Sequence, residues 1–135
     1  VLRLPDDVVQ QLVGHAYDGL PDEACGLIAA APGSSDVQRF YPCRNAAESS
    51  RVYTIDGKDF MKADRAAEDA GLEIVGVVHS HTHTDAYPSP TDVAQAPDPD
   101  WHYVIVSLRD VAPMVRSYRI VDGTITEEPV VEVRR

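Results

Sequence analysis

Apolar residues at Val9, Leu12, Val13, Ala16, Tyr17 and Leu20 recur at helical spacing behind Pro5, Asp6 and Asp7, a group suited to a helix N-terminus. An amphipathic helix is predicted over residues 5–20. After the Pro21-Asp22 break the pattern changes to a nearly continuous apolar run at residues 24–31, which reads as a buried strand. Pro32-Gly33-Ser34-Ser35 is a turn, and residues 37–41 form the return strand of a hairpin. Residues 51–55 suggest a short strand, and Asp56 with Asp59 can cap a second helix that carries Phe60, Met61, Ala63, Ala67 and Ala70 and ends at Gly71.

Residues 73–81 form an apolar run that begins directly after a helix and ends in polar side chains, as expected of a central strand. Downstream, residues 89–96 suggest a short helix and residues 95–100 a Pro- and Asp-rich loop. Residues 103–108 and 114–121 are strand-like, Asp122-Gly123 is a tight turn into residues 124–126, and residues 130–133 form a last extended piece. There is no repeat, low-complexity tract or linker. The expectation is one domain over residues 1–135, of α/β (α+β) class, with a mixed central sheet flanked by helices.

Composition narrows the possible partners. Across 135 residues, 12 Lys and Arg face 22 Asp and Glu, and a net charge of −10 opposes the phosphate neutralisation that nucleic-acid binding requires. The first residues carry acids and lack an apolar stretch of signal-peptide length, and no run approaches a membrane span, so a cytoplasmic protein without membrane contact is expected. Cys25 and Cys43 are too few for a disulfide framework and form no CxxC pair, so any metal must rely on histidine and carboxylate.

Those ligand types occur together in HSHTHTDAYPSPTD, where His79 and His81 are followed by Ser89 and Asp92. Strand side chains alternate, so His79 and His81 share a face with Cα atoms roughly 6.6 Å apart. Two such imidazoles can converge on one ion, Asp92 can supply a third ligand, and a catalytic zinc keeps its fourth position open for water. Ser89-Pro90-Thr91-Asp92 also fits a helix N-terminus, and capping alone would explain both Ser89 and Asp92. His83 competes with Asp92 for the third position, but the loop that follows should break the strand period before it. His15 and His102 read as structural, and HxH alone would be a weak signal.

At these residues the chain resembles the JAMM, or MPN-plus, family of zinc isopeptidases and peptidases, whose motif is a distant Glu followed by HxHx7SxxD. The resemblance implies His79, His81 and Asp92 as zinc ligands, Ser89 as the oxyanion-stabilising serine and Glu23, in PDEACGLI, as the catalytic glutamate. Spacing alone would leave Glu23 as an exposed acid after a turn. HYVIVS at 102–107, RSYRIVDG at 116–123 and the TEEPV after it extend the likeness over nearly the whole chain, toward short actinobacterial members. It further implies a fold similar to the cytidine-deaminase-like fold and one catalytic Zn2+ with a bound water. The implied partner is a ubiquitin-like sulfur-carrier protein, from whose C-terminal diglycine an adduct is cleaved, with cysteine release in cysteine biosynthesis as the expected role. Three alternatives stay open at this point: a non-catalytic scaffold of the same fold, a metallopeptidase for another C-terminal adduct, and a cysteine hydrolase built on Cys25.

Overall fold

In the computed structural model, which describes residues 1–135, the chain runs β1 (Leu2–Pro5), α1 (Asp6–Gly19), β2 (Cys25–Ala30), β3 (Val37–Cys43), α2 (Gly57–Asp69), β4 (Glu73–His81), α3 (Pro90–Ala94), β5 (His102–Ser107), β6 (Met114–Val121), β7 (Thr124–Glu128) and β8 (Val130–Val133). Six strands form one sheet in the order β3-β2-β4-β5-β6-β7, and β1 pairs with β8 in a separate two-stranded sheet. Within the large sheet β4 and β5 run parallel and every other pair is antiparallel. A parallel pair needs a crossover connection, and residues 82–101, which include α3, supply it.

Position in the sheet follows from apolar content. Every residue of β2 and β5 is buried, as is β4 from Val75 onward, so these strands take the interior. One face of the sheet is covered by α1, whose Val8, Leu12 and Ala16 pack with Ile28, Val78, Val104 and Val106. The other face carries α2, where Ala63 joins Leu27, Val77, Tyr103, Ile105 and Tyr118. A fully buried Leu, Ile or Val contributes about 1.5–3 kcal/mol, whereas an exposed ion pair such as Arg116–Glu127 contributes about 0–1 kcal/mol. The two apolar layers therefore hold the fold together. No helix is long and apolar enough to cross a membrane.

One expectation needs correction, and one strand was not expected. Residues 51–55 form no strand; only an isolated bridge joins Ile55 to Asn45. The reason is that the Asn45 side chain satisfies this backbone itself, accepting from Thr54 N at 3.0 Å and donating to the Val52 carbonyl at 3.1 Å. The strand β1 was not legible, because its four residues end at a proline and its partner β8 lies at the other end of the chain. The second helix begins as expected, with Asp56 accepting from Asp59 N at 3.1 Å, and it ends before Gly71, whose φ of +75° closes the turn.

Gly76 marks the closest approach between the parallel strands. A Cβ there would run into the His102 carbonyl and stand 3.1 Å from the His102 Cβ. We expect Gly76→Ala to destabilise the protein by about 1–3 kcal/mol through overpacking. By contrast, a Cβ at Gly14, within α1, meets nothing within 4 Å, so Gly14→Ala should stabilise by about 0.5–1 kcal/mol. Urea denaturation of both variants reads these opposite signs.

Candidate metal centre

His79 and His81 are the last side chains of β4 on the α2 face, at the carboxyl end of a parallel strand, where open α/β sheets hold their ligands. Their Nε2 atoms stand 3.1 Å apart, and each lies 3.1 Å from Asp92 Oδ2. Asp92 reaches this point from α3. Its carboxylate accepts from Ser89 N at 2.9 Å, while Ser89 Oγ accepts from Asp92 N at 3.0 Å, a complete capping box. The capping and ligand arrangements coexist, because Oδ2 serves the cap and faces both rings. Ser89 Oγ, having accepted one hydrogen bond, keeps its proton to donate.

The ligand atoms suit an ion. With bonds of about 2.0–2.1 Å, tetrahedral ligands stand about 3.3–3.4 Å from one another, close to the triangle found here. His81 Nδ1 donates to the Asp85 carbonyl at 2.7 Å, which leaves Nε2 as the free lone pair. His79 stacks on Tyr53, with ring centroids 4.3 Å apart, and its buried Nδ1 has no hydrogen-bond partner. Burial holds the His79 pKa below its ordinary value, against the pull of Asp92. Burial also works against protonation of His81, but the hydrogen bonds to Asp92 and the Asp85 carbonyl outweigh it and raise that pKa. For Asp92, desolvation is overcome by its contacts with both histidines, and the carboxylate is held well below its usual range.

Strand pairing brings Glu23 to the same place. Cys25 lies opposite His79 in the antiparallel β2–β4 register, and Ser80 N donates to the Ala24 carbonyl at 2.9 Å, so Glu23 comes level with His81. Ser80 points to the opposite face, where its Oγ accepts from Ala24 N at 2.8 Å and locks the register. The Asn45 amide donates to the Glu23 carbonyl at 3.0 Å, and Glu23 N donates to the Ser49 carbonyl at 2.8 Å. Glu23 as a residue is only 5% exposed, and its Oε1 has no protein partner. Burial, with a smaller push from Asp92 and a counteracting pull from His81, raises its pKa to about 7.

Two recesses flank these groups. One, of about 430 Å³, is bordered by Glu23, Ser50, Arg51, His81, His83 and Ser89 among residues that are all hydrophilic. The other, of about 390 Å³, lies beyond Tyr53 and is walled by Ile55, Phe60, Val77, Pro97 and Trp101. His83 is exposed and stands outside the triangle, because β4 ends at His81. His15 is half-buried, with Nε2 at 2.9 Å from the Cys25 carbonyl. His102 is buried, 2.5 Å from Glu128, and serves the sheet. Burial pushes the Cys25 thiol up to about 12, which leaves no thiolate for nucleophilic attack. Asn45, Ser80 and Tyr53 were missed as supports. Asn45 and Ser80 act through long-range contacts that spacing cannot reveal, and Tyr53 sits in the segment misread as a strand.

A mixed sheet that carries two imidazoles, a carboxylate and a buried glutamate at one strand end has the residue set of a metal-assisted hydrolytic centre. The chain belongs to the family of prokaryotic homologs of the JAB domain, whose model matches residues 5–121. The JAMM/MPN resemblance is thereby confirmed. The CysO-cysteine peptidase of Mycobacterium tuberculosis is 50% identical over 131 residues, which cover 96% of this chain and 90% of that protein. The desampylase of Haloferax volcanii is 34% identical over 111 residues, covering 78% of this chain and 80% of its own. Protein DSY2949 from Desulfitobacterium hafniense has a solved structure that matches with a TM-score of 0.92 at 30% identity, covering 100% of this chain and 94% of that one.

Asn45 makes the hydrogen bonds that join the Glu23 segment to residues 47–54. Asn45→Ala leaves several buried backbone groups without partners, at about 1–3 kcal/mol for each that water cannot reach. Chemical denaturation should show a loss in that range or above; a midpoint equal to the parent's would mean that the loop does not depend on this side chain.

Proposed function

We propose that this protein is a zinc-dependent peptidase of JAB type that hydrolyses the amide joining cysteine to the C-terminal diglycine of a ubiquitin-like sulfur-carrier protein, in a single domain over residues 1–135. The observation that carries the reading is 50% identity, across 96% of the chain, to a protein named for peptidase action on a CysO-cysteine adduct. The buried group of His79, His81 and Asp92 adds the chemistry. Release of cysteine would place the reaction in cysteine biosynthesis, in the cytoplasm.

His79, His81 and Asp92 are the residues that would hold the ion. When bound, zinc supplies Lewis-acid charge for a carbonyl oxygen and lowers the pKa of water. Glu23 acts as the proton carrier: its unpartnered Oε1 takes a proton from the attacking water and delivers it to the departing amine nitrogen. Ser89 donates its remaining hydrogen to the carbonyl oxygen as negative charge develops there. No covalent enzyme intermediate is needed.

These roles separate in variants. Glu23→Gln should retain zinc and lose hydrolysis, whereas His81→Ala and Asp92→Asn should lose zinc. Elemental analysis, paired with mass spectrometry of a carrier ending in Gly-Gly-Cys, checks both, and full activity after zinc has been stripped would sink the reading. Ser89→Ala should cost about 1 kcal/mol of stability as a lost cap but roughly 100- to 1000-fold in turnover. Near-normal turnover would reduce Ser89 to a cap.

A further inference from the structure

We propose that Arg51 binds the free α-carboxylate of the departing amino acid, so that the protein selects adducts whose leaving group is a terminal residue over isopeptides to a lysine side chain. The inference rests on the amide-hydrolase reading above and fixes the leaving-group side of that site.

Proton delivery sets the direction. Glu23 borders the hydrophilic recess and not the apolar one, and the proton that converts the departing nitrogen to an amine comes from Glu23. The amine therefore leaves into the hydrophilic recess, and the acyl side of the substrate lies across the centre from it. That recess, about 430 Å³, falls in the range of about 300–1,000 Å³ in which proteins hold small ligands. Its lining places the Ser50 hydroxyl beside Arg51, and no residue with a hydrophobic side chain borders it.

Arg51 is its permanent cation. The Arg51 backbone N donates to Ser49 Oγ at 3.1 Å, which fixes the residue at the rim, while its guanidinium makes no ion pair or hydrogen bond with any protein group. Other arginines are engaged by carboxylates, Arg44 with Asp56 at 2.8 Å and Arg109 with Asp85 at 2.5 Å. In a chain of net charge −10, an anionic group has few places to bind, and a guanidinium is the side chain best shaped for a carboxylate. A free cysteine carboxylate meets that fork, whereas an amide or a lysine side chain leaves it unused.

The test uses the zinc-loaded full chain with three substrates: a carrier ending in Gly-Gly-Cys with a free carboxylate, the same carrier with a C-terminal cysteine carboxamide, and the carrier joined through Gly-Gly to the ε-amine of a blocked lysine. We expect kcat/KM for the acid to exceed that for the amide and the isopeptide by about 10- to 100-fold, the worth of one charge-assisted hydrogen bond. Arg51→Ala should erase that preference mainly through KM for the acid, and Arg51→Lys should restore part of it. Equal rates on all three substrates, or a preference that survives Arg51→Ala, overturns the assignment to Arg51 while leaving the hydrolase reading intact. If the parent protein cleaves none of them, the hydrolase reading itself fails and the inference falls with it.

Discussion

The antiparallel contact between β2 and β4 governs the candidate centre. It is fixed by the reciprocal pair between Ala24 and Ser80, in which one backbone bond and one hydroxyl bond join the same two residues. A slip of one residue would turn Glu23 to the opposite face of the sheet, because strand side chains alternate. His79 and His81 belong to the strand that forms the other half of this pair, so acid and imidazoles move together. The centre is thus as rigid as the middle of the sheet, where β2 and β5 are wholly buried on either side of β4.

The remaining two groups arrive by a different device. Ser89 and Asp92 stand on a helix of five residues, too short to hold itself in water. What orders it is the reciprocal cap, and the oxygen that closes the cap is the one aimed at both histidines. Local stability and ligand geometry are therefore the same contact seen from two sides. Around this point the chain separates polarity: a hydrophilic recess beside Glu23 and an apolar one beyond Tyr53.

Much of this was legible beforehand, and the reasons for the rest are physical. The helix α1 and the strand β4 announce themselves through period, and the shared face of His79 and His81 follows from strand alternation alone. Asp92 and Ser89 were visible as residues but ambiguous in purpose, and the ambiguity was real, since both purposes are met. Glu23 became visible only through resemblance, because 56 residues separate it from His79 and no local pattern reports strand pairing. Asn45 was invisible for the same reason. Its side chain takes over the hydrogen bonds that a strand at residues 51–55 would have given to a neighbour, so no strand forms there.

The pairing of β1 with β8 joins Leu2 to Val130, nearly the full length of the chain apart. Leu2 and Leu4 are fully buried in the layer beneath α1. On a ribosome the first strand is therefore made long before its partner exists. The metal-ligand strand and its neighbours can assemble while these leucines are still unpaired, and the pairing forms only once β8 has emerged. Synthesis thus leaves two buried leucines without their strand partner until β8 is made, and this is the interval in which a chaperone would find them.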